Sequence, residues 1–227
     1  WAMALTNSYN YEYDEAIENA EECLRIALSP MDRGSASNIR AIAVALKGSP
    51  EEGLRVMEES RPRLVANEFV IALLTTDPGF GLAMVLRGEL TSGVRHIEET
   101  MRSCAAYGSH VVLGQCHIYL GEIYLQMALG KEKPPPGVLL KNLGFILRTA
   151  PFAARKARRH LTDALRIFRE LDAPSAAAWA LMDLGLLEIA RKKGGEARTH
   201  LEEARDLARS VDAAGLSGRI DEALASL

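Results

Sequence analysis

The stretch Trp179–Ala208, WALMDLGLLEIARKKGGEARTHLEEARDLA, decides the fold. Ala197, Leu201, Ala204 and Ala208 recur at i, i+4, i+7 and i+11, the spacing of one apolar face of an α-helix. Glu196, Arg198, Glu202, Glu203 and Arg205 fill the opposite face. A second helical run carrying Leu184-Gly185 precedes it across a short connection, which implies an antiparallel helix pair.

The same pattern extends outward. Ala157, Leu161, Ala164, Leu165 and Phe168 repeat it one unit earlier, and 14–28, 51–59 and 92–104 are similar. Strand-like alternation and Asn-Gly or Asp-Gly hairpin signals are absent. The small residue near each second-helix start falls at 16, 53, 93, 157 and 197, in steps of 37, 40, 64 and 40. The long step is one of 40 with 24 residues inserted. A two-helix period of this size reads as a solenoid. Ser49-Pro50-Glu51-Glu52 reads as a capping box with proline at the first helical position. Asp172 with Pro174 opens one helix and Asp212 the last, a capping helix at 213–226. Gly88, Gly130 and Gly194-Gly195 stand where helices should stop, and Gly79-Phe80-Gly81 after Pro78 reads as a turn.

Composition agrees. The 33 alanines and 31 leucines outweigh 30 valines, isoleucines and threonines in 227 residues, which favours helix over sheet. A hydrophobic fraction of 48% excludes a disordered chain. The 27 basic against 30 acidic residues give a net charge of −3, so no nucleic-acid partner is expected. Three cysteines, Cys23, Cys104 and Cys116, do not suggest a disulfide framework, and a reducing, cytoplasmic setting is expected. No apolar run approaches the ~20 residues of a membrane span. The chain enters a helical pattern at Trp1 and reads as a fragment of a longer protein.

The pattern resembles the tetratricopeptide repeats. The clearest copy places Ala197 twelve residues after Gly185, then Leu201 and Ala204, which is that family's order of small and large residues. Another has Leu120-Gly121 and Tyr124, and resumes at Ala157, Leu161 and Ala164 after the insertion. The copies at 37–60 and 77–100 are looser, with Arg40 and Asp77 where apolar residues would be expected. Glu188 replaces the aromatic of the clearest copy. The resemblance implies an all-α, right-handed superhelical solenoid of about five helix pairs, one domain over 1–227, with an inserted segment near 130–156. That insertion, KPPPGVLLKNLGFILRTAPFAARK, looks like a segment in the C-terminal repeat regions of large bacterial signalling proteins with an adenylate/guanylate cyclase and an ATPase domain upstream. A sensory or scaffolding tail is what this implies.

No chemistry-bearing motif stands out. Cys104, His110, Cys116 and His117 lack tight metal-ligand pairs, and buried cysteine with surface or capping histidine is the better reading. No phosphate loop, dinucleotide fingerprint or nucleophile elbow occurs, so neither enzyme activity nor a cofactor is expected. The stretch Lys131–His160 is basic: Lys131, Lys133, Lys141, Arg148, Arg155, Lys156, Arg158 and Arg159 face one acid, Glu132. It also carries eight large apolar residues, and such a segment lies on an anionic membrane, grips an acidic partner, or simply packs on the solenoid. In this family the first helix of each pair lines a concave groove. The resemblance therefore implies a partner-binding face of Gln115, Tyr119, Glu122, Gln126, Trp179, Met182, Asp183 and Leu186, with core packing the alternative for Trp179. These residues do not form the Lys/Asn-rich clamp of some family members, so no C-terminal-carboxylate specificity is expected. The expected function is protein–protein interaction, through a peptide partner or upstream domains of the same chain. The alternatives are a structural element that self-associates and the tail of a transcriptional regulator.

Overall fold

The computed structural model describes residues 2–130 and 135–227, and among them every regular element is a helix. The chain divides into two compact units at Gly108/Ser109. The first holds α1 (Ala2–Tyr9), α2 (Tyr13–Ile26), α3 (Pro30–Lys47), α4 (Pro50–Ala66), α5 (Val70–Leu86) and α6 (Leu90–Tyr107). The second holds α7 (His110–Leu129), α8 (Pro136–Thr149), a 3-10 turn at Ala150–Phe152, α9 (Ala153–Glu170), α10 (Pro174–Ala190), α11 (Gly194–Ser210) and α12 (Ala214–Ala225). Most helices pack chiefly on a neighbour in sequence, α1 on α2, α3 on α4, α5 on α6 and α10 on α11, while α7 packs on α9 across the inserted α8. α8 fills the expected insertion, and α12 closes on α11. Lys131, Glu132 and Lys133 of the basic stretch lie outside the described residues.

The spacing of helix starts is regular. In the first unit α3, α4, α5 and α6 begin at 30, 50, 70 and 90. In the second α10, α11 and α12 begin at 174, 194 and 214. One turn recurs at the same 20-residue interval. Its outer amide reaches back five residues: Ser49 N–H to Val44 O at 3.1 Å, Phe69 to Leu64 at 3.0 Å and Glu89 to Met84 at 2.8 Å. Ala173 to Phe168, Lys193 to Glu188 and Ala213 to Ala208, at 2.9, 2.9 and 3.0 Å, repeat it in the second unit. These bonds satisfy carbonyls that a helix end leaves open, and they require one left-handed residue. Gly48 and Gly88 supply it twice, and Glu68, Asp172, Lys192 and Asp212 supply it elsewhere.

This turn corrects several sequence expectations. Asp172 and Asp212 close the preceding helix in the left-handed conformation and do not cap the next one. Gly194-Gly195 begin α11, because Lys192 already makes the reversal. Ser49 precedes Pro50 as expected, yet its side chain accepts no capping bond. The hydroxyl cap is at Ser29, which accepts from Asp32 N–H at 3.0 Å and donates to the Asp32 carboxylate at 2.7 Å. Gly79-Phe80-Gly81 is no turn but part of α5. Its glycines are there for thinness: a Cβ on Gly79 would lie 2.3 Å from Ile42 Cδ1, and one on Gly81 would lie 2.6 Å from Ile97 Cγ1.

Close approach at small residues is general. A Cβ on Gly93 would stand 2.4 Å from the Gly81 carbonyl oxygen, and one on Gly53 would stand 2.4 Å from that of Ala41. Gly121 and Gly185 receive Leu161 and Leu201, each at 2.6 Å from the position of a Cβ. Replacing helical glycine by alanine normally gains about 1 kcal/mol. Gly93→Ala is expected to lose roughly 1–3 kcal/mol because backbone must move. Gly218→Ala, in α12 with nothing within 4 Å of a Cβ, is expected to gain about 0.5–1 kcal/mol. Urea denaturation of the two variants checks the contrast.

Candidate functional site

The face expected to bind a partner comes together in the second unit, but largely as interior. Gln115, Tyr119, Trp179, Met182 and Asp183 are each no more than 2% exposed. Glu122 and Leu186 are half-buried, and Gln126 is exposed. The reason is crowding: α10 touches α7, α9, α11 and α12 and is wrapped on most sides. Trp179 is thus a core residue, and a peptide reaches this face only at Glu122, Gln126 and Leu186. Within the wall, Gln115 Nε2 donates to Tyr119 Oη at 3.0 Å, and the Tyr119 ring meets Trp179 edge-on with centroids 6.1 Å apart. Burial pushes the Tyr119 phenol up.

Two carboxyls sit against this wall. Burial raises Asp183 well above the usual carboxylate range, and the nearby charge of Glu122 adds to the rise. Arg219 of α12 opposes it, as does hydrogen bonding from Trp179. Glu122 is raised by its own burial and also feels Arg219. The Asp183 Oδ2 has no hydrogen-bond partner. Two acids sharing one low-dielectric site hold at least one proton more readily than free carboxylates do.

A second cluster lies between α7 and α9. His117 Nδ1 and His160 Nδ1 are 3.1 Å apart, so one ring must donate to the other. Tyr124 stacks on His160 at 5.6 Å, and Lys156 Nζ stands 4.8 Å from the centre of the Tyr124 ring. Asp163 Oδ2 lies 3.9 Å from His117 Nδ1. Burial, then the neighbouring His117 and Arg159, bring the His160 imidazole down to about 4. Burial also lowers His117, against the pull of Asp163. The sequence held no signal for His160, which stands 43 positions from its partner. Cys104 lies in α6 and Cys116 in α7, and both are buried. Among the described residues no three His, Cys, Asp or Glu are placed to hold a metal ion.

The basic insertion divides by role. Arg158 pairs with Glu188, which is 1% exposed and also takes Arg191 at 3.2 Å. The glutamate that stands where the resemblance led to an aromatic being expected is thus held by two arginines. Lys156 is spent on Tyr124, and Arg155 stands 5.1 Å over Phe152. Arg148 Nε donates to the Gly144 carbonyl at 2.9 Å, while Lys141 and Arg159 are exposed.

The first unit has a depression of about 550 Å³ lined by Glu58, Arg61, Pro62, Val65, Phe80 and His96, among others. At its edge Arg61 grips Asp77 with two bonds of 3.0 and 3.1 Å. His96 Nε2 lies 3.7 Å from the same carboxylate, and Phe80 packs on His96 with centroids 5.1 Å apart. Burial pushes Asp77 up, but the neighbouring His96 and the two bonds from Arg61 prevail and hold it below its usual range. Asp77 and Arg40 are therefore paired at their unexpected positions, Arg40 with Glu21 at 2.8 Å.

No protein-family model matches the chain, and no curated protein matches it.

The histidine pair has a defined pH signature. An unfolded chain protonates histidine near pH 6.5, whereas the folded His160 resists until about pH 4. Stability is therefore present above pH 6.5 and lost as pH falls from there toward 4. His160→Gln is expected to remove about 2–3 kcal/mol of that acid-side loss. Denaturant titrations of both proteins at pH 7 and pH 4.5 check it.

Proposed function

We propose that the chain is a non-catalytic, tetratricopeptide-like interaction module whose second unit takes a basic segment of a protein partner at the Glu122–Asp183 pair. The observation that carries this reading is the Asp183 carboxyl, 2% exposed, with an oxygen lacking a hydrogen bond. An underpaired buried acid costs stability, and such costs concentrate where a ligand supplies the missing partner. Glu122, Gln126 and Leu186 form the accessible lip, and Tyr119 and Trp179 form the rigid wall behind it. A lysine or arginine of the partner would join Arg219 in neutralising the acids. The 20-residue helix-and-turn unit supports a solenoid reading. Its two-helix period of 40 is longer than the roughly 34 residues of the tetratricopeptide consensus, as somewhat longer helices require.

On the resemblance of the insertion, the module serves as a regulatory tail of a cytoplasmic bacterial signalling protein, and its partner is a protein or an upstream domain. A parent whose output ignored deletion of this region would sink that assignment.

A second reading, self-association, draws on the first unit. Met3, Ile26, Leu28 and Met31 are exposed there, Leu28 at 95%. Mass that rises with concentration supports it.

The groove reading is tested with an array of helical peptides differing in lysine and arginine content. Basic peptides are expected to bind, and Glu122→Gln/Asp183→Asn is expected to weaken them roughly tenfold or more. The same variant is expected to be more stable at pH 7, because the buried charge is gone. Undiminished binding by a folded variant removes the site.

A further inference from the structure

We propose that α8 is a peripheral docking surface for an anionic lipid bilayer. At about 100° per residue, Leu139, Leu143, Leu147 and Leu140 fall within an arc of roughly 100° on one side of this helix. Their exposures are 42%, 41%, 66% and 76%. The side of α8 that adjoins Leu139 is the buried one, where Asn142 and Thr149 are 3% and 4% exposed. α8 leans mainly on the 3-10 turn that follows it, so the leucine ridge projects from the unit. Phe152, 49% exposed, stands just beyond its end.

Charge decides what covers this ridge. From 135 to 162 the sequence has six lysines and arginines and no acid. Lys141 and Arg148, also exposed, lie about 80–100° further around α8 than Leu140, and Arg155 and Arg159 stand exposed on α9. A second copy would set this basic segment against itself, since a two-fold contact pairs like with like. A ridge, unlike a groove, needs no shaped receptor to accept it. Leucines facing one way with long cationic side chains on the adjoining solvent face suit a bilayer surface, where acyl chains take the leucines and the lysine and arginine stems reach up to lipid phosphates. No helix among the described residues is long and apolar enough to cross a membrane, so the contact proposed is peripheral. It uses residues distinct from the acid pair and stands or falls separately from the peptide reading.

The test is flotation of the whole chain with vesicles of phosphatidylcholine alone and of phosphatidylcholine with roughly 30% phosphatidylglycerol, whose negative surface potential attracts basic segments. Wild type is expected to float with the anionic vesicles and much less with the neutral ones, and to be released as salt rises. Leu143→Ser/Leu147→Ser is expected to reduce the bound fraction roughly tenfold with an unchanged melting temperature, because both side chains are exposed. Lys141→Glu/Arg148→Glu is expected to erase the anionic preference. Equal binding to both vesicles, or binding indifferent to the serine pair, overturns the proposal. So does absence of vesicle binding, whether accompanied by leucine-dependent capture on a synthetic Leu/Glu helical peptide, by leucine-dependent dimerisation, or by neither.

Discussion

Close contact between helix backbones is the constraint on which each unit depends. Where Gly93 faces the Gly81 carbonyl, or Gly53 faces that of Ala41, the two helices touch with no side chain between them. Elsewhere a leucine fills the space over a glycine, as Leu161 does at Gly121 and Leu201 at Gly185. These two contact types fix how far apart paired helices lie. A turn of constant form then fixes where the next helix starts. Together they produce elements twenty residues apart, with little choice left to the loops. The left-handed residue in that turn need not be glycine, since Glu68, Asp172, Lys192 and Asp212 fill it. The five-residue hydrogen bond beside it holds the conformation that those side chains disfavour.

Polar residues within these bundles act as joints between helices. Glu188 is tied to Arg158 and Arg191, and Asp77 to Arg61 and His96. Asn38 Nδ2 reaches the Thr76 hydroxyl at 3.3 Å, linking α3 to α5. Such pairs contribute less to net stability than apolar packing of the same volume, but they penalise any other register, which leaves a buried charge alone. Arg40, Asp77 and Glu188, charged where apolar or aromatic residues were expected, thus share one feature: each is paired with an opposite charge on a neighbouring helix.

Helix positions were legible because periodicity is a local property. Ala197, Leu201, Ala204 and Ala208 are all fully buried, as their spacing requires. Punctuation was less legible. Glycine and aspartate each fit several roles, and only the five-residue bond says that Asp212 ends a helix and Gly194 starts one. The site was half legible. The first-helix positions did gather Glu122, Asp183, Tyr119 and Trp179, but exposure depends on how many neighbours surround α10, which no local pattern records. His160 and Arg219 were invisible for the same reason, each acquiring its importance from a helix distant in sequence.

The two titratable clusters of the second unit act in opposite directions on acidification. Glu122 and Asp183, raised in the folded state, bind protons there before the unfolded chain does, so acidification through their folded range favours folding. His117 and His160, lowered in the folded state, refuse protons that the unfolded chain accepts, so acidification from pH 6.5 favours unfolding. Both clusters lean on α7, from Glu122 on one side and His117 on the other. Where their ranges overlap, the opposing slopes partly cancel, and the second unit keeps a flatter stability profile than either cluster alone would give. A cation bound at the acid pair would remove one of the two slopes by holding those carboxyls ionised. Occupancy of the site would then make the second unit more acid-sensitive, through histidines that touch neither the ligand nor its carboxylates.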